Sequence, residues 1–115
     1  MAVEMARERF EQLVDQALAS IPTDLLDMVD NVIIEVEADP PEGEQLMGLY
    51  DGIPLTERGQ YVGALPDVIW VFMNPILEVC ADEAQVMHEV RVTVIHELAH
   101  HFGIEDDRLE ELGWG

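Results

Sequence analysis

Apolar residues recur at helical spacing over residues 3–21. Ala6, Phe10, Leu13, Val14, Ala17, Leu18 and Ile21 fall on one side, with acids and arginines between them. That pattern predicts an amphipathic surface helix. Pro22 ends it, and Thr23 can cap a short second helix through Leu25, Leu26 and Val29. From Asn31 the period changes to two. Val32, Ile34 and Val36 alternate with Ile33, Glu35 and Glu37, which predicts a strand with one dry face. Asp39-Pro40-Pro41-Glu42-Gly43 reads as a loop, and Leu46 to Tyr50 as a second strand closed by Asp51-Gly52. Residues 53–66 carry two prolines and two glycines and read as a long loop.

Val68 to Met73 is an unbroken apolar run and predicts a third strand, which Asn74-Pro75 stops. Asp82, with Gln85 three positions on, is a variant of the capping box. A helix then runs to about Phe102, where Gly103 caps it. Val86, Val90, Val94, Leu98 and Phe102 form its apolar stripe, while Val92, Ile95 and Ala99 fill much of the remainder. Such a helix is buried between layers. A short acidic helix or turn ends the sequence. The predicted fold is α+β: a small mixed sheet of three or four strands, packed on an N-terminal helix and this long helix. The 115 residues predict one domain, 1–115.

Charge narrows the partners. The sequence has 25 Asp plus Glu against 5 arginines and no lysine, for a formal net charge of -20. That field repels phosphate backbones and anionic lipids, so neither nucleic acid nor a membrane surface is an expected partner. It favours cations and basic peptides; solubility alone is the plainer reading of the same charge. Cys80 stands alone, so no disulfide forms within the chain. The charged first 20 residues contain no apolar signal core, and no run approaches bilayer length. The expectation is a cytoplasmic protein.

The chemistry gathers in residues 96–106, HELAHHFGIED. His96 and His100 are four apart on a predicted helix, which puts their imidazoles about 40° apart and one turn apart on one face. Two neutral imidazoles so placed can share one Zn²⁺. Glu97 flanks the ion and can reach an activated water without being a ligand. A catalytic zinc needs a third protein ligand. Gly103 lets the chain leave the helix and fold back, and Asp106, ten residues after His96, would complete the set. Asp107 and Glu105 are alternatives to Asp106. Two structural histidines on a buried helix are the reading without a metal.

Together these residues resemble the extended zinc motif of metzincin-like peptidases, H-E-x-x-H-x-x-G-x-x-D, with Asp106 where most have a third His. Snapalysin-type bacterial peptidases are similar in using Asp there. The whole chain is similar to small bacterial proteins with a minimal zincin fold, zincin-like metallopeptidases without an assigned substrate. The resemblance covers the third strand, Asn74-Pro75-Ile76, the motif helix and Asp106-Asp107-Arg108-Leu109, and more loosely the N-terminal half. It departs in one respect. Nine residues follow Asp106 and none is Met, so the methionine turn of full metzincins is not expected.

The resemblance implies zinc-dependent hydrolysis of peptide bonds, with one Zn²⁺ on His96, His100 and Asp106 and with Glu97 as general base. A zinc-binding interaction module without turnover, and an amidase or esterase acting on non-peptide substrates, are the alternatives. A peptide or protein substrate would pair with an edge strand. Val68, Ile69, Trp70, Val71, Phe72 and Met73 are the expected groove, because that strand leads directly into the metal helix. The remaining candidates have plainer readings. His101 reads as packing or support for the site, and His88 lies about 12 Å down the helix axis from His96. Tyr50 and Tyr61 could stabilise an oxyanion. Arg108 could pair with Asp107 or Glu111. Cys80 is either a buried hydrophobe or a thiol activated by a helix N-terminus.

Overall fold

The computed structural model describes residues 3–23, 25, 32–42, 44–52, 67–101 and 103–112. Their elements are α1 (Arg7–Ala19), β1 (Val32–Glu37), β2 (Gly48–Asp51), β3 (Asp67–Phe72), α2 (Met73–Val79), α3 (Glu83–His101) and α4 (Asp106–Leu112). The fold is α+β, as the hydrophobic pattern predicts. The long loop 53–66, Tyr61 within it, and most of the short helix expected after Thr23 lie outside the described residues.

The sheet has the order β1-β3-β2. β1 pairs parallel with β3, bringing Val32 opposite Asp67 and Val36 opposite Val71. β2 pairs antiparallel, bringing Gly48 opposite Val71 and Tyr50 opposite Ile69. Period-two alternation then sorts the faces. Val36, Ile69 and Val71 are buried on the inner face, with Val32, Ile34 and Tyr50 packed against the core. Ile33, Glu35 and Glu37 are exposed on the other face.

α1 turns Phe10, Leu13, Val14 and Ala17 into the core. α3 adds Val86, Val90, Val94, Ile95, Leu98 and Ala99. The apolar stripe predicted for this helix is thus buried wherever it is described. Its N-terminus carries the expected cap. Asp82 Oδ1 accepts from Gln85 N at 2.8 Å, and Gln85 Oε1 accepts from Ala81 N at 2.7 Å. Gln85 N, a first-turn donor that the helix cannot satisfy internally, is thereby bonded, and the Gln85 side chain ties back to the residue before the cap.

Residues 73–79 differ from expectation. The strand ends before Asn74-Pro75, as expected, but these residues lie in the first turn of a helix, α2, that the pattern does not predict. Proline is tolerated in a first turn, where its missing N–H has no intrahelical partner to lose. Burial of Met73, Ile76 and Leu77 then stabilises the turns that follow.

β3 is the central strand, which corrects the expected substrate groove. Both edges of Val68, Ile69, Trp70 and Val71 are already paired, to β1 and to β2, while Phe72 pairs with β1 and donates its N–H to Met47 O at 2.9 Å, so this strand has no free edge to offer a peptide. Ile69 and Val71 are core residues, and Met73 belongs to α2.

Candidate metal centre

The last turns of α3 carry His96, Glu97 and His100 out of the core. Ile95, Leu98 and Ala99 between them are buried, whereas His96 and Glu97 are half-buried and His100 is exposed. Helical periodicity alone produces this split: the apolar stripe faces inward and the motif flank faces outward. The imidazole rings of His96 and His100 lie 6.1 Å apart, centroid to centroid, with their planes inclined by 28°. Two nitrogen-bearing rings stacked one turn apart on a rigid helix fit zinc's preference for imidazole.

α3 ends in a Schellman turn. Gly103 has φ 73°, in the left-handed region. Gly103 N donates to His100 O at 3.2 Å and Ile104 N to Ala99 O at 2.8 Å. These two bonds define the motif and reverse the chain beside the last turn of the helix. α4 then begins at Asp106 and is anchored by Leu109, which is buried in the core. The backbone therefore places Asp106 at the start of the segment that follows the reversal. The roles expected of Asp106 and His101 rest on their side chains, which lie outside what the structure describes. Among the described residues no group of three or more His, Cys, Asp or Glu side chains gathers to hold a metal. Among the described residues the nitrogen donors gathered on this face are the imidazoles of His96 and His100. An open hollow of about 510 Å³ next to this turn is lined by His100, Gly103, Ile104, Glu105 and Asp107.

Glu97 occupies the step between the two histidines. Burial pushes its carboxyl above the usual carboxylate range, while charge on His100 and His96 pulls the other way. Losing water raises a carboxylate's affinity for a proton, which suits a group that must accept one and pass it on. β2 passes close to this carboxyl. A methyl group placed at Gly48 would lie 3.8 Å from Glu97 Cγ. The hydrophobic pattern does not single out Gly48 or its neighbour Thr93. The available signal was a glycine inside a strand, which marks close backbone approach.

The other candidates fall into supporting places. Tyr50 donates its hydroxyl hydrogen to Asp67 Oδ2 at 2.7 Å, and Asp67 is buried on the inner face of the sheet. Tyr50 thereby ties β2 to β3. His88 is exposed, eight residues before His96 on α3. Arg108 pairs with Glu111 at 3.0 Å on the exposed face of α4, where an ion pair contributes little. Cys80 is buried, and burial pushes its thiol up, so it is a small core residue rather than an activated thiol.

An α+β chain with a glutamate-flanked pair of histidines on a core helix is a zincin-type arrangement. The chain belongs to the zincin-like metallopeptidase family, whose model matches residues 29–114. No curated protein matches it. Among solved structures it is similar to a conserved hypothetical protein from Thermo thermophilus. The two share 26% identity and a TM-score of 0.57, over 85% of this chain and 94% of that one.

Proposed function

We propose that this protein is a zinc-dependent peptidase that hydrolyses peptide bonds in peptide or protein substrates. His96 and His100 hold the metal, Asp106 is the third ligand, and Glu97 is the general base. The observation that carries the reading is the placement of His96 and His100 one turn apart with half-buried Glu97 between them. Family membership supports the reaction class.

Zn²⁺ held there would lower the pKa of a water to about 7 and polarise the scissile carbonyl. Glu97 accepts the proton of the attacking water and delivers it to the leaving amine. Its desolvation strengthens it for the first half of this task. The substrate lies extended along β2. Among the described residues β2 pairs on one side only, with β3, and it packs on the motif helix, where a Cβ at Gly48 would meet Thr93 and reach Glu97. Strand addition there would bring a peptide backbone beside the general base.

Zinc titration of the purified chain tests the ligand set. The wild type is expected to bind about one Zn²⁺, and His96→Ala and His100→Ala each to lose it. Stoichiometric zinc retained by both variants would remove the basis of the proposal.

A further inference from the structure

β2 meets α3 through a gap that has room for a glycine and nothing larger. Gly48 is buried and sits opposite Val71 of β3. A Cβ added to it would overlap Thr93 Cγ2, lie 3.1 Å from the Trp70 carbonyl oxygen and touch Glu97 Cγ at 3.8 Å. The added atom would be confined between a helix methyl on one side and strand backbone on the other. Thr93 is β-branched and only 9% exposed, so its methyl has little room to turn away. The Trp70 carbonyl is main chain and cannot move without the sheet. Any side chain at this position must therefore push β2 off α3. Thr93 and Glu97 are four residues apart, one turn along the same face of α3. The contact that excludes a Cβ thus lies directly beside the general base.

We infer that Gly48 and Thr93 form a positioning pair: their contact sets how far the substrate-holding edge of β2 stands from Glu97. Neither is a catalytic residue. The inference rests on the peptidase reading above, but the contact itself can be tested without turnover. If a substrate backbone is held by β2 while the chemistry is held by α3, the spacing between the two elements fixes where the scissile bond falls. An error of about 1 Å in that spacing can cost about a hundredfold in rate. Zinc affinity is expected to be indifferent to it, because His96, His100 and Asp106 all lie outside β2.

The test is a double-mutant cycle of Gly48→Ala and Thr93→Ser on the full chain. Serine deletes the one methyl that the new Cβ would overlap. Gly48→Ala is expected to keep zinc binding, to lower kcat per bound zinc about tenfold or more, and to change KM less, since the β2 backbone still pairs. Its thermal midpoint should fall by about 5 °C or more. Adding Thr93→Ser should restore most of both losses. Affinity for a peptidyl hydroxamate, which must engage strand and metal together, should fall and recover in parallel. That arm separates the two claims. A wild type that binds the hydroxamate without cleaving peptides removes the peptidase reading, and the hydroxamate cycle still decides the role of Gly48. Wild-type kcat per zinc and hydroxamate affinity in Gly48→Ala would overturn the inference. So would losses that Thr93→Ser fails to repair, or a zinc-loaded wild type that neither cleaves peptides nor binds the hydroxamate.

Discussion

Tyr50 on β2 donates its hydroxyl hydrogen to the buried carboxylate of Asp67 on β3, at 2.7 Å. A buried carboxylate that loses a donor is costly. Tyr50→Phe should therefore destabilise the protein by about 1–3 kcal/mol in urea unfolding. Because the hydroxyl is held by Asp67, kcat below the melting transition should change by less than about tenfold, against the larger losses seen when an oxyanion donor is removed. A kcat loss of about a hundredfold or more with unchanged stability would return Tyr50 to the catalytic group.

Gly103 offers a cleaner backbone test. Its φ of 73° is strained for any residue with a Cβ, yet nothing lies within 4 Å of the position that a Cβ would take. Gly103→Ala should therefore cost only the conformational term, about 1–2 kcal/mol. Gly103→Asn should cost less, since asparagine tolerates this region. The turn also leads to Asp106. Zinc affinity should consequently fall in Gly103→Ala and recover in part in Gly103→Asn, as read by competition with a chelator. Equal affinity in all three proteins would separate the turn from the metal ligands.

The motif helix was the most legible part of the sequence. Its cap, its apolar stripe and its terminal glycine are local signals, and each is met by a bond or a buried side chain. β1 was legible for the same reason, because a strand with one dry face writes its period directly. The placement of β3 was not. Strand order is set by tertiary packing, which no local period encodes. Asn74-Pro75 was ambiguous in principle, because proline both ends strands and opens helices. The role of Gly48 depends on Thr93, 45 positions along the chain, and only the folded contact reveals it.

Charge should select among substrates. The formal net charge is -20, and Glu105, Asp107, Glu110 and Glu111 are all exposed just beyond the metal helix. Peptides with Arg near the cleavage point should be cleaved with higher kcat/KM than matched peptides with Glu, mainly through faster association. The preference should shrink as salt rises, since exposed charges are screened beyond about 8 Å at physiological ionic strength. Equal kcat/KM for the pair at low salt would leave solubility as the sole role of the acids.

The proposed mechanism divides the labour within the motif: the histidines would hold zinc, and Glu97 would move a proton. Glu97→Gln keeps the shape of the side chain and removes its basicity. Zinc content and peptide hydrolysis measured together on this one variant test the division most directly. The expected result is one bound Zn²⁺, as in the wild type, with activity reduced by several orders of magnitude. Loss of the metal together with activity would make Glu97 a ligand. Full activity with zinc retained would place the general base elsewhere, and either result would contradict the mechanism.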